Sequence, residues 1–240
     1  MTITEIYTAE TITERRVAKT IDHSLLKPQL TVDDILAGCD IAAAYDVASV
    51  CCRPMDVERC RDALAGTNVI VSTVIGFPHG SNLTATKVFE AQRAVEQGAV
   101  ELDMVLQIGL LRSGRVDDVS DDIAAVVQAA GDNAIVTVIL ENAFLTDDEK
   151  VAGCRAAEAA GAAYVKTSTG YASGGATLDD LRLMRATVSS HIKVKAAGGV
   201  RTLDALIDCI NVGIDRCGAT ATAAIIDDLR NRQGVGGARR

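Results

Sequence analysis

The feature that most constrains this chain is a regular alternation. Short runs rich in Val, Ile and Ala, which read as buried strands, alternate with longer segments of helical period. Eight strands are predicted, at 17–21, 48–52, 69–75, 99–106, 135–140, 163–166, 192–196 and 214–217. They recur every ~22–34 residues, the length of a βα unit. Eight units in 240 residues predict an α/β fold, a single-domain (β/α)8 TIM barrel. A doubly wound sheet usually has fewer strands and a Gly-rich first turn. Here the first strand leads into Asp22-His23-Ser24-Leu25-Leu26-Lys27-Pro28, with no GxGxxG.

The segments between strands carry helix signals. Thr31 with Asp34, Ser113, Thr146 with Glu149, Thr177 with Asp180, and Thr202 are the predicted helix starts. Gly66, Gly98, Gly131, Gly161 and Gly213 stand where helices should end. The expected organisation is a polar leader over 1–16, the barrel over 17–229 and a flexible Gly/Arg-rich tail over 230–240.

Charge and composition narrow the partners. The net charge is −8 and the Lys and Arg residues are scattered, so no nucleic-acid surface is expected. A local site for an anionic small molecule stays compatible with an acidic chain. No run of about 18 apolar residues exists, so no membrane span is expected. The leader has no apolar core of the kind a signal peptide needs. The seven cysteines lack CxxC spacing, which predicts reduced, buried thiols and a cytoplasmic protein. His23, His79 and His191 are dispersed, and no metal site is expected.

In such a barrel the catalytic face is the C-terminal end of the strands. Asp22, Lys27, Cys51 to Arg53, His79, Asp103, Glu141, Asn142, Lys166 to Gly170, Lys195 to Gly199 and Gly218 to Thr222 are predicted there. Two lysines stand out. Tyr164-Val165-Lys166 opens into Thr167-Ser168-Thr169-Gly170, and Lys193-Val194-Lys195 opens into Ala-Ala-Gly198-Gly199. Strand parity turns Lys166 and Lys195 inward. Lys193 shares that parity one layer lower, with its ammonium expected at the bottom rim.

A lysine at a buried strand end is either bridged to a carboxylate or chemically active. A Schiff-base nucleophile must be neutral near pH 7, some three pH units below its ordinary value. A second ammonium at about 7 Å, with an effective dielectric of 20, contributes roughly 2.4 kcal/mol of repulsion. One lysine of the pair would then stay charged; parity does not say which. Asp103 is predicted to face inward above Glu101, either as a structural ion partner or as a proton-transfer group. The loops after strands 7 and 8, Gly198 to Thr202 and Gly218 to Thr222, present amides at helix starts in the positions where this fold holds phosphate.

On these residues the chain resembles class I deoxyribose-phosphate aldolases. The matching segments are Ile21 to Pro28, Val74 to Pro78, Gly98 to Val105, Val165 to Gly170 and Lys193 to Thr202. The resemblance implies a Schiff-base role for Lys166 and a charged partner role for Lys195. It implies an acid/base role for Asp103. The phosphate would lie on Gly170, Gly198, Gly199, Val200, Arg201, Gly218 and Thr220. It further implies a sugar-phosphate substrate, no cofactor and a homodimer. The expected reaction is reversible cleavage of 2-deoxy-D-ribose 5-phosphate to acetaldehyde and D-glyceraldehyde 3-phosphate, with C3–C4 expected to break. Five departures are visible. Thr137 stands where the family often has lysine, and Asn142 where it has threonine. Arg53 is unusual and is expected to add an anion contact. Ala221 follows Thr220 where a second hydroxyl is common, and the terminal tyrosine of some members is absent. These departures leave open a related aldolase with another phosphorylated sugar, or a non-catalytic sugar-phosphate sensor.

Overall fold

The computed structural model describes residues 6–234. Eight parallel strands close into a barrel in the order of the sequence. The elements are α1 (Glu14–Ala18), β1 (Ile21–Leu25), α2 (Val32–Ala44), β2 (Ser49–Cys52), α3 (Val57–Ala63), β3 (Ile70–Ile75), α4 (Thr84–Gln97) and β4 (Glu101–Val105). Then come α5 (Ile108–Arg112), α6 (Val116–Ala130), β5 (Ile135–Ile139), α7 (Asp147–Ala159), β6 (Tyr164–Lys166), α8 (Leu178–Thr187), β7 (Lys193–Ala197), α9 (Leu203–Asn211), β8 (Arg216–Ala219) and α10 (Thr222–Arg232).

The expected count of strands holds, with two shifts. The strand expected over 17–21 begins at Ile21, and Val17 lies in α1. Thr13 accepts from the Arg16 amide and caps that helix, so the apolar Val17 is buried from a helix instead of a strand. β1 itself reads Ile-Asp-His-Ser-Leu, a polar-interrupted run that hides its strand character. β8 starts two residues later than expected, at Arg216, where its ladder with β7 begins.

Helix starts follow the capping chemistry where a hydroxyl precedes an acidic turn. Thr31 with Asp34 and Thr146 with Glu149 form complete capping boxes. Thr177 and Thr202 accept from the amides three residues on. Ser113 corrects the expectation: it closes α5, its hydroxyl donating to the Gly109 carbonyl, and α6 starts at Val116.

Alternation along each strand divides the interior in two. Leu102, Met104, Val194 and Ala196 join the apolar layer between sheet and helices. Glu101, Asp103 and Lys195 lie on the opposite, barrel-facing side and are buried as well. All seven cysteines are free and buried. Residues of the leader from Tyr7 on are tied to the barrel. The Tyr7 amide donates to Asn211, Gln233 donates to the Ala9 and Ile12 carbonyls, and Ile12 is buried. At the other end α10 continues to Arg232, and the rest of the expected flexible tail, from 235, lies outside the described residues.

Outside the barrel, one ion pair is fully buried. Lys87 of α4 donates to Asp122 of α6 at 2.6 Å and to the Val105 carbonyl at 2.9 Å. Thr84 and Gln107 donate to the other Asp122 oxygen at 2.7 and 3.0 Å. Lys87 is 0% exposed, so its charge depends on these partners. Asp122→Ala is expected to lower the free energy of unfolding by about 3–5 kcal/mol, and Lys87→Met in the same background to recover part of it. Urea denaturation measures both. A single-mutant cost under about 1 kcal/mol would mean the pair is not what joins α4 to α6.

Candidate active site

The site begins with strand register. Lys166 of β6 stands directly opposite Lys195 of β7, and Lys195 opposite Arg216 of β8. Asp103 of β4 is opposite Thr137 of β5. With all these side chains on the barrel side, cations and carboxylates from five strands meet in a dry interior.

Asp103 Oδ2 accepts from Lys166 Nζ at 2.6 Å and from Lys195 Nζ at 2.8 Å. The two ammonium nitrogens are therefore no further apart than those two bonds laid end to end. That is closer than the roughly 7 Å used for the repulsion above, with a carboxylate between them. Lys195 also pairs with Asp22 at 2.7 Å. Asp22 in turn accepts from Ser49 at 2.6 Å and from Arg216 Nε at 2.8 Å. Arg216 reaches Glu101 at 3.1 Å. Lys166, Asp103, Lys195, Asp22, Arg216 and Glu101 thus form one continuous chain of charge.

Burial alone would disfavour each of these charges. For Asp103 it is outweighed by the Lys166 and Lys195 ammonium groups, which hold the carboxyl well below the usual carboxylate range. Asp22 is likewise held low, against burial, by Lys195 and Arg216. Lys195 moves the other way: Asp103 and Asp22 overcome burial and hold it charged, well above the ordinary lysine value. Of the two lysines, it has two carboxylate partners and Lys166 one.

Above this chain of charge, the strand-end loops enclose a cavity of about 640 Å³. Lys166, Gly170, Gly198, Gly199, Val200, Arg201, Gly218 and Thr220 all line it. Lys195 and Asp103 do not; they lie beneath, in contact with Lys166. Other residues predicted at the mouth are elsewhere. Asp22 and Cys51 are buried in the interior. His79 is exposed but does not line the cavity. Lys193, expected at the bottom rim and not at the mouth, is exposed at the strand start, its ammonium 5.4 Å from the Tyr164 ring centre. His23, held neutral by burial with its pKa pulled down to about 4, shares a hydrogen bond of 2.8 Å with Thr222.

Arg53 corrects the expectation of an anion contact. Its Nε donates to Asp56 at 2.7 Å and its Nη1 to the Pro28 carbonyl at 3.0 Å. The guanidinium is spent on the protein. Glu141 is also structural in its contacts: buried, with left-handed backbone (φ 60°), it accepts from the amide and hydroxyl of Thr169. It ties the end of β5 to the loop carrying Gly170. That loop packs closely on the next. A Cβ on Gly175 would lie 2.4 Å from the Gly198 carbonyl oxygen, and Gly198 itself has φ +81°. Both positions require glycine for the cradle to close. The residues that sequence reasoning missed are Arg216, Ser49 and Tyr171. Arg216 carried a readable signal, an arginine inside an otherwise apolar strand.

The chain has known relatives. The model of the DeoC/LacD family aldolases matches residues 16–234. The chain belongs to the DeoC/LacD aldolase family. A deoxyribose-phosphate aldolase of Staphylococcus epidermidis is 49% identical over 214 residues, covering 89% of this chain and 97% of that protein. One of Rhodopirellula baltica is 47% identical over 222 residues, covering 91% of each. Among solved structures, the deoxyribose phosphate aldolase from Aeropyrum pernix, described as a tetramer, superposes with a TM-score of 0.85 at 26% identity. That match covers 92% of this chain and 93% of the other. The aldolase QR15 gives a TM-score of 0.87 at 34% identity, covering 91% and 98%. The eight-stranded barrel is thus the family fold, and the lysine-bearing strand ends are in the family's matched region.

The buried charges of this chain make a pH signature measurable. Burial, then the nearby Asp22 carboxylate, push the Glu101 carboxyl up to about 6, which Arg216 and Lys195 offset only in part. An unfolded glutamate titrates near 4.3. The folded chain therefore holds this proton more tightly, so the group's stabilisation is full below about 4.5 and lost as pH rises through about 6. The unfolding free energy of the native chain relative to Glu101→Gln is expected to fall by roughly 2 kcal/mol between pH 4 and 7. Urea titrations at constant ionic strength read this, and a flat difference would show that folding leaves the Glu101 pKa at its unfolded value.

Proposed function

We propose that the chain is a class I aldolase that reversibly cleaves 2-deoxy-D-ribose 5-phosphate to acetaldehyde and D-glyceraldehyde 3-phosphate. The observation that carries this reading is the placement of one amine, Lys166 Nζ. It is the amine of the buried pair that lines the cavity, and it shares Asp103 with a second lysine that two carboxylates keep charged. A sensor that only bound sugar phosphate would need none of these three residues.

The chemistry follows from that placement. Lys166 Nζ, an ammonium paired with Asp103 in the resting site, passes a proton through that carboxylate to solvent and, as the free amine, attacks the C1 aldehyde of the open-chain sugar. Loss of water gives a protonated imine, an electron sink. The scissile bond is C2–C3, which corrects the C3–C4 expectation. Electrons reach the imine carbon from a bond to its neighbour C2, and the products contain two and three carbons. As C2–C3 breaks, the C3 hydroxyl gives up its proton and C3 becomes the aldehyde of the three-carbon product. The bonding pair forms an enamine at C2. Protonation at C2 and hydrolysis of the imine release acetaldehyde and regenerate the Lys166 amine. Asp103 is the group suited to move these protons. Its Oδ2 is committed to the two lysines, while its Oδ1 has no hydrogen-bond partner among the described residues. Lys195 supports the ionised Asp103 and adds positive charge beside the attacking amine. Amides and side chains at Gly170, Gly198 to Arg201, Gly218 and Thr220 would hold the 5-phosphate. No helix among the described residues is long and apolar enough to cross a membrane. A homodimer working in the cytoplasm is the assembly and location this reading carries.

Borohydride trapping with 2-deoxyribose 5-phosphate, followed by peptide mass spectrometry, tests it. A reduced adduct is expected on Lys166 and none in Lys166→Ala. Asp103→Asn is expected to lower kcat by about 10²–10⁴. No adduct from a chain that still binds the sugar phosphate would sink the aldolase reading.

A further inference from the structure

We infer that Lys27, on the loop between β1 and α2, is a specificity-determining cation for the phosphate of the substrate. The inference rests on the reading of the cavity as a sugar-phosphate site and deepens it. Four observations support it.

First, Lys27 lines the same cavity as Lys166 and the glycine loops after β7 and β8. Second, among the described residues its ammonium has neither a hydrogen bond nor an ion pair. In this cavity only Arg201 shares that condition, since the third cation, Lys166, is paired with Asp103. Third, among the described residues no carboxylate lines the cavity. Two unspent cations on loops two strands apart in the barrel, with no counter-charge, suit a dianion better than a neutral sugar. Fourth, the loop that carries Lys27 is held from two sides. Tyr171 Oη donates to the Leu26 carbonyl at 2.8 Å, and its ring meets Phe77 edge-on at 5.4 Å. Arg53 donates to the Pro28 carbonyl and more weakly, at 3.5 Å, to that of Lys27. Arg53 is itself fixed by Asp56, which Arg59 also grips at 2.6 Å. An exposed lysine on a free loop would lose much conformational entropy on gripping a ligand. Strapping the backbone at Leu26, Lys27 and Pro28 reduces that cost. Arg53 is thus a positioning residue, acting on the anion through the Lys27 backbone without touching it.

The test compares 2-deoxyribose 5-phosphate with unphosphorylated 2-deoxyribose, together with calorimetric binding of inorganic phosphate. For Lys27→Met the expected result is about a tenfold rise in KM for the phosphorylated sugar. kcat should stay within about twofold and kcat/KM for 2-deoxyribose should not change. Inorganic phosphate should bind about tenfold more weakly. Lys27→Arg should restore most of both. Arg53→Met should raise the same KM by a smaller factor, again without changing kcat/KM for 2-deoxyribose. Equal losses for the two sugars, or unchanged phosphate binding in Lys27→Met, would overturn the inference. The two readings fail separately. A native chain that binds phosphate but gives no trapped imine loses the aldolase reading, while its phosphate affinity still decides the role of Lys27.

Discussion

Everything at this site depends on one buried carboxylate shared by two lysines. Asp103 is 0% exposed, and Lys166 and Lys195 are 3% and 1% exposed. None of the three charges is stable alone at that depth. Together they form a bridge, and the bridge requires strand order and register: β4, β6 and β7 must close around the barrel for the three side chains to meet. The requirement spreads downward. Lys195 needs Asp22, Asp22 is gripped by Arg216, and Arg216 reaches Glu101. The chain runs through three cations and three carboxylates, so its formal charge cancels. A barrel interior is usually filled by bulky branched side chains. Here that role is partly given to ion pairs, and the apolar packing is displaced outward to the layer between sheet and helices.

How far this was legible depends on periodicity and parity. Eight strands at βα spacing fix the barrel, and period two turns Lys166, Lys195 and Asp103 to one side. Those inferences need only local sequence. What local sequence does not carry is which inward charge meets which. Pairing of Lys195 with Asp22 crosses from one end of the chain to the other, and it exists because β8 closes on β1. The same closure hides β1 from a pattern search. Asp22 and His23 interrupt its apolar run because the barrel interior and Thr222 supply their partners. Ser113 shows the opposite failure, a good capping residue used to end a helix instead of starting one. Arg53 was read as an anion contact from its residue type alone. Its partners, Asp56 and two loop carbonyls, become visible only once the β1–α2 loop is folded over it.

Division of labour between strands and loops follows from the same physics. On the proposed reading the reacting amine must be held in an unchanging geometry, and strand ends in a closed barrel provide that. Substrate recognition needs exposed amides and free cations, which only loops can present. The two parts are joined by short links. Glu141 ties the end of β5 to Thr169, and Thr169 sits between Lys166 and Gly170. The Gly175–Gly198 approach then locks the loop after β6 to the loop after β7. A phosphate on these loops is therefore registered against the Lys166 amine through a few covalent and hydrogen bonds, the condition for efficient positioning of a reacting carbonyl.

The threonine at position 137 fits this charge arithmetic. Thr137 is the register partner of Asp103, so a lysine there would bring a third ammonium to the same carboxylate. In this chain the cations and carboxylates already cancel, and a further buried cation would need a further partner. Threonine leaves Asp103 Oδ2 fully occupied by two lysines and Oδ1 unclaimed. An ionised carboxylate with one oxygen fixed and the other free has its orientation set and a lone pair still open to a water or hydroxyl proton. Those are the two properties a proton-transfer group beside an imine requires.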